Sequence, residues 1–396
     1  MSTAALSHLR VVDLTHHIAG PYCTKLLADF GADVLKIERP GGGDAARALG
    51  PFLDDRPSAE GSGTFAFLNT NKRSICVDLK TDAGRDVVRR LVQDADIVVE
   101  NFRPGVLERL DLGHQCLQSI NPRLVMTSIS NFGQTGPNRD FRATEIVADA
   151  MSGWMYGLGT PDREPIKPPG AQAQLVGGMY GLTATLTAIF ARQFSGRGQY
   201  VDVSIQEAVL WMMMNITTTY SYSGQVWQRD GGHSTMNAPQ GIYECKDGLI
   251  GINVIYYVEW PRFAEFVGQP EWLEDPRFAT PVERARNRPA MDEVLVPWIR
   301  QQSKQDLYER AQRAKIPFAL VNSPADLLES PQLQARDYWA RVGEWTMPGA
   351  PFKLPETPWQ IRRPAPRLGE HTDEALEGVG FSAAEVAELR STGAVA

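Results

Sequence analysis

The sequence predicts an α/β fold, in which a parallel sheet flanked by helices carries a smaller inserted α+β domain. Three observations lead there. Strand and helix signals alternate through residue 205, as they do when helices cross over between parallel strands. The pattern turns to antiparallel strands and proline-punctuated helices after about Gly224, and short helices return near the end. In order, residues 9–14 (LRVVDL) read as a buried strand, and residues 20–30 as a helix with Leu26, Leu27 and Phe30 on one face. Residues 33–38 form a second strand, closed by Arg39-Pro40 and Gly41-Gly42-Gly43. A helix over 83–94 follows, then strands over 97–99 and 124–129. Residues 172–195 make one long helix ended by Gly196-Arg197-Gly198, and 200–204 restart a strand. Residues 242–244 and 249–254 pair around the turn Lys246-Asp247-Gly248. Pro270, Pro276, Pro281 and Pro289 punctuate the helices beyond, 348–366 is an extended proline-rich connection, and 372–389 is helical. The expected partition is 1–205 large domain, 206–225 linker helix, 226–330 small domain, and 331–396 linker and return to the large domain.

Composition narrows the function. The chain has 396 residues, 40 basic against 47 acidic, for a net charge of −7. With 43% hydrophobic and 22% charged residues it is globular, and the acidic balance argues against a general nucleic-acid binder. The four cysteines (Cys23, Cys76, Cys116, Cys245) form no CxxC pair, which disfavours a zinc site or any other metal centre and a disulfide framework. The longest apolar run, 208–214, is too short to span a bilayer, and no basic start with a following apolar stretch is present. A cytoplasmic protein without membrane partners is expected.

Among the motifs, Gly61-Ser62-Gly63-Thr64-Phe65-Ala66 fits GxGxxA but lacks a preceding strand, so a nicotinamide site is rejected. Neither GxSxG nor HExxH occurs. His16 and His17 sit in the loop after the first strand, where open α/β sheets place ligands. Met212-Met213-Met214 beside Trp211 reads as core filling. Arg39 and Arg103 fall at carboxyl ends of strands, with Lys72 and Arg73 after Leu68-Asn69-Thr70-Asn71. Cations converging on that edge suit a phosphorylated ligand; solvated loop charges are the alternative.

At these residues the sequence resembles the class III CoA-transferases, the family of formyl-CoA transferase and of the proteins labelled carnitine dehydratase or bile-acid-inducible protein. The resemblance is carried by Ala19-Gly20-Pro21-Tyr22-Cys23-Thr24, Asp33-Val34-Leu35-Lys36-Ile37-Glu38-Arg39-Pro40, Asn69-Thr70-Asn71-Lys72-Arg73-Ser74, Glu100-Asn101-Phe102-Arg103-Pro104-Gly105, Gly196-Arg197-Gly198-Gln199 and Leu368-Gly369-Glu370-His371-Thr372. It implies an interlocked dimer, with a Rossmann-like large domain built from both chain ends and a small central domain. It implies coenzyme A or acyl-CoA as a substrate, held by His17, Ile18 and Ala19 after the first strand and by Arg39, Leu68, Lys72, Asn101, Phe102 and Arg103. A carboxylic acid is the implied second substrate.

The resemblance also marks departures. The family's nucleophile is an aspartate near the start of the long helix, which attacks the acyl-CoA thioester. In the register of the Gly-Arg-Gly-Gln block that position is Gln174, and no Asp or Glu lies between Glu164 and Asp202. Thr144 occupies the histidine position of the racemases, so racemisation is not implied. The stretch Asn237-Ala238-Pro239-Gln240-Gly241 lacks the glycine run of formyl-CoA transferase, which disfavours oxalate-type acceptors. Two readings remain open. The chain is a CoA-transferase, either as one subunit beside an aspartate-bearing paralogue or as a homodimer in which Glu145 or Asp149, otherwise solvated or helix N-terminal charges, supplies a displaced carboxylate; alternatively it is a non-catalytic acyl-CoA binding partner or sensor.

Overall fold

The computed structural model describes residues 4–396, which cluster into two compact units. The first unit comprises residues up to Trp154, Pro168–Thr217 and Asp337–Ala396. It opens with β1 (Arg10–Asp13), α1 (Ala19–Asp29), β2 (Asp33–Glu38), α2 (Gly63–Leu68), β3 (Arg73–Cys76), α3 (Asp82–Gln93) and β4 (Ile97–Glu100). It continues with α4 (Val106–Arg109), α5 (His114–Ile120), β5 (Val125–Ser130), α6 (Glu145–Met151), α7 (Gln172–Ser195), β6 (Tyr200–Ser204) and α8 (Ile205–Met212). The six strands form one parallel sheet in the order β3-β2-β1-β4-β5-β6.

Strand residues alternate between two cores because side chains have a period of two. Val12, Leu35, Ile75, Val98 and Met126 meet Val87, Val88 and Leu91 of α3 on one face. Val11, Val34, Ile97, Val99 and Val125 meet Cys23 and Leu27 of α1 and Val176 and Ile189 of α7 on the other. Two glycines let α7 come in close: a Cβ on Gly178 would lie 2.5 Å from the Ala19 carbonyl, and one on Gly181 would lie 2.6 Å from Ile129 Cδ1. By length and composition α7 passes for a membrane span. Here its small-residue face is packed in the core against α1 and β5, as in the central helix of a globular domain.

The last residues return to this unit. Asp78 N donates to Ala394 O at 2.8 Å, and Ala396 N to Cys76 O at 3.2 Å, extending the β3 edge. The extended stretch before them is fastened by Trp359 Nε1 to Asp29 Oδ2 (3.2 Å) and Arg47 Nη2 to Pro366 O (3.1 Å).

The second unit is Met155–Lys167 with Thr218–Arg336. Its sheet is antiparallel: Gln240–Cys245 pairs with Gly248–Asn253, which pairs with Phe318–Leu320, over a core of Trp260, Phe263, Trp272, Phe278 and Phe318. Residues 155–167, expected in the 1–205 segment, cluster here instead. Gly231 N donates to Gly159 O (3.0 Å) and Arg229 Nε to Thr160 O (3.2 Å), tying them to the segment after 224.

Core filling by Met212-Met213-Met214 holds for Met213 and not for its neighbours. Only Met213 packs against the core, while Trp211 and Met214 are 77% and 71% exposed. Helix α8 buries Ile205, Ala208 and Val209 on its inner face, and its outer face carries Trp211 away from the core.

Candidate functional site

The winding of the sheet reverses between β1 and β4, so the loops leaving their carboxyl ends diverge and open a crevice. A cavity of about 560 Å³ occupies that edge. It is walled by the loop after β1 (Leu14, Thr15, His16, His17), the end of β2 with Arg39, and Gly43, Asp44 and Ala45. Val77 to Lys80 follow β3 on another side, and Phe102, Val106, Arg109 and Leu110 follow β4. The floor is apolar (Leu14, Ile37, Val77, Leu79, Phe102, Val106, Leu110), while Arg39, Lys80 and Arg109 are exposed cations. An apolar slot bordered by exposed cations, with Glu38, Asp44 and Asp78 also in its lining, has the chemistry to pack a flat ring and pair with phosphates.

Beneath the cavity lies a set of buried ion pairs. Lys36 Nζ meets Asp44 Oδ2 at 2.8 Å, Lys72 Nζ meets Asp13 Oδ2 at 3.0 Å, and Arg47 Nε meets Glu38 Oε2 at 2.8 Å. Burial works against each charge, but the partners prevail for several of them. Lys36, Asp13 and Asp44 stay ionised because Lys36 faces both carboxylates, and Glu38 is held ionised by Arg47. Burial draws the Lys72 ammonium down to about 8 against the opposing pull of Asp13. The His16 imidazole is drawn down to about 4 by burial and by His17, so it is neutral at pH 7.

Of the residues expected to hold a ligand, His17, Arg39 and Phe102 meet on the cavity wall. Arg103 is exposed beside Phe102, and Ile18 and Ala19 lead from the loop into α1, with Ala19 buried. Asn101 is turned onto His16, accepting from its N–H at 2.9 Å and donating to its carbonyl at 2.7 Å. Leu68 is buried at the end of α2, off the cavity wall. Lys72 requires a correction. Its side chain has no exposed surface, and Nζ donates to Asp13 Oδ2, Pro21 O, Thr24 Oγ1 and Asn69 Oδ1 within 3.0 Å. A lysine so enclosed has no donor to spare for a phosphate, because its three N–H groups already face four acceptors; read linearly, the chain does not distinguish an outward lysine from one that folds under the loop.

At the other position singled out, Gln174 lies in the first turn of α7. Glu145, the first residue of α6, accepts from Ala173 N at 2.7 Å (Oε1) and from Gln174 N at 3.2 Å (Oε2). A carboxylate there caps free N–H groups and meets the positive end of the helix dipole. The Gln174 amide nitrogen lies 3.5 Å from Asn131 Oδ1.

Sequence reasoning missed Lys36, Asp44, Lys80, Arg109 and Glu100. Asp44 carried a usable signal, an aspartate directly before the short helix Ala45–Ala48, which it caps through Ala46 N at 2.8 Å. Glu100 ends β4 and is buried; burial pushes its carboxyl up to about 7, while its Oε2 accepts from Phe102 N at 2.7 Å.

A doubly wound sheet with an apolar, cation-bordered cavity at its winding reversal defines an α/β protein with a ligand-sized crevice at the carboxyl edge of its strands. The family model CoA-transferase family III matches residues 6–372, and the chain belongs to that family. It is 34% identical over 402 residues to the succinyl-CoA:(R)-benzylsuccinate CoA-transferase subunit BbsE of Thauera aromatica, covering 98% of each chain. It is also 34% identical over 401 residues to the succinyl-CoA–L-malate CoA-transferase beta subunit of Chloroflexus aurantiacus, again 98% of each. A solved CAIB/BAIF family protein from Brucella suis superposes with a TM-score of 0.86 at 31% identity, over 95% of this chain and 100% of that one.

Proposed function

We propose that this chain binds acyl-CoA in the cavity at the β1–β4 edge and serves as one subunit of a heteromeric CoA-transferase that moves CoA between carboxylic acids. The observation that carries the reading is the apolar cavity rimmed by Arg39, Lys80 and Arg109 in a member of CoA-transferase family III. The adenine ring would lie on the apolar floor and the phosphates would meet the rim cations. Heteromeric assembly is supported by the names of two relatives, each a subunit, and by the amide at Gln174. An amide has no anionic oxygen with which to attack a thioester, so the partner subunit would supply the carboxylate. Those relatives' names make succinyl-CoA the first donor to try. Association with a second chain is supported by exposed apolar side chains on the first unit, including Phe194 (78%) and Trp211 (77%). An interlocked dimer with a Rossmann-like large domain, in the cytoplasm, is the arrangement that goes with this reading.

A second reading, a non-catalytic acyl-CoA binding partner or sensor, is favoured by Glu145. Both of its carboxylate oxygens accept from backbone N–H groups of α7, which engages the carboxylate nearest Gln174 in a structural contact.

One experiment separates the readings. The purified chain is incubated with succinyl-CoA and a panel of acyl-CoAs, then examined by intact-mass spectrometry and CoA-exchange assay, alone and as Gln174→Asp and Glu145→Gln. Retained CoA with no exchange by the wild type, and exchange acquired by Gln174→Asp or by adding an aspartate-bearing paralogue, supports the heteromeric transferase. Exchange by the wild type alone, with an acyl or CoA adduct mapped by peptide mass spectrometry to Glu145 and lost in Glu145→Gln, identifies Glu145 as the nucleophile and removes the partner requirement. CoA retention with no exchange under any condition leaves the binding-partner reading.

A further inference from the structure

Residues 15–17 pass over the winding reversal with His17 at φ +65°, a left-handed conformation that a non-glycine residue adopts only when its surroundings hold it there. Side chains from other parts of the unit hold this turn. Lys36 Nζ, from β2, donates to Thr15 O at 2.7 Å. Asn101, after β4, takes both polar groups of the His16 backbone at 2.9 and 2.7 Å. Asp44 Oδ1 accepts from His17 N at 2.8 Å, while its Oδ2 pairs with Lys36 Nζ at 2.8 Å. The Lys36 and Asp44 side chains have no exposed surface, so a ligand in the cavity cannot touch their charged ends.

We propose that Lys36 and Asp44 are positioning residues for coenzyme binding: their buried ion pair fixes the left-handed His17 turn, and so the wall against which the ligand packs, before the ligand arrives. This rests on the CoA reading of the cavity. A preformed wall spares the ligand the ordering of a mobile turn, which is how rigid sites gain affinity without added contacts. The pair links two loops through opposite charges, so both must change together if no unpaired charge is to be left buried.

The test compares two double variants, Lys36→Met with Asp44→Ala and Lys36→Met with Asp44→Asn. Both are neutral at the pair, but only asparagine keeps an acceptor for His17 N. The chain has six histidines, so histidine-selective 15N labelling gives six backbone amides whose hydrogen exchange can be followed singly. In the alanine form the His17 amide of the ligand-free protein is expected to exchange faster, and CoA affinity by calorimetry to fall about tenfold, the scale of one lost hydrogen bond. The asparagine form is expected to recover most of both. Equal CoA affinity in the two forms would overturn the proposal, as would lost affinity with His17 protected as in the wild type. Failure of the wild type itself to bind CoA would instead refute the CoA reading. If neither double variant folds, Asn101→Ser carries the test on the His16 side without leaving a buried charge: faster His16 exchange with weaker CoA binding supports the proposal, and weaker binding with unchanged exchange, or unchanged binding, overturns it.

Discussion

Replacing Lys72 by methionine separates a ligand contact from a structural one. The ammonium sits 3.0 Å from Asp13 Oδ2 with neither side chain exposed, and also bonds Thr24, Asn69 and the Pro21 carbonyl. Methionine keeps much of the length and volume but leaves Asp13 buried, short of one of the two cations that hold it ionised. Breaking one side of such a pair costs about 3–5 kcal/mol. Neutralising both sides, with Lys72→Met and Asp13→Asn together, should recover most of that loss, leaving the double variant about 2–3 kcal/mol more stable than Lys72→Met alone. Urea unfolding followed by circular dichroism measures the stability, and calorimetry on the folded fraction measures CoA binding. Wild-type stability in Lys72→Met, with CoA affinity lost, would refute the argument and return Lys72 to the ligand.

Three further outcomes are expected. Reversing the rim charge in Arg39→Glu should weaken CoA binding by roughly tenfold to 150-fold, the range for a charge-assisted contact, and unchanged affinity would remove Arg39 from the site. Glu100 titrates near 7 in the fold against an ordinary 4.5. Its folded form is therefore the more protonated across that window, and its contribution is full below about pH 4.5 and lost as pH rises to about 7. The loss amounts to about 3 kcal/mol. Glu100→Gln, which keeps an acceptor for Phe102 N, should flatten the melting profile over that window and raise the melting temperature at pH 8; parallel profiles would refute the assignment. Sedimentation on dilution should show no folded monomer if the exposed apolar residues Phe194 and Trp211 are covered by a second chain, and a stable monomer would argue against that assembly.

Much of the fold was legible because strand and helix periodicity report burial locally. The long helix and the strand after it fall at Gln172–Ser195 and Tyr200–Ser204, as read, because Gly196 (φ +70°) ends the helix in a conformation few other residues accept. The short strand Arg73–Cys76 was missed, since four residues opening on an arginine carry little alternation. The exposure of Met212 and Met214 was misread for the opposite reason, because hydrophobicity states what a residue prefers and not which face of its helix it falls on.

By itself the sequence determined the alternation that makes a parallel sheet, the family to which the chain belongs, and the absence of a carboxylate at position 174. Only the tertiary structure decided what the charged residues do. Lys72 and Asp13 are 59 positions apart, and Asn101 and His16 are 85 apart, yet each pair is in hydrogen-bond contact. The strand order brings the carboxyl ends of β1, β2 and β4 side by side, and it is set by the packing of the whole sheet. A charged side chain carries no local sign of whether such an edge turns it toward the cavity, as with Arg39, or beneath the loop, as with Lys72. That choice depends on whether a buried opposite charge lies within reach, because an unpaired charge is expelled to solvent and a paired one can remain inside.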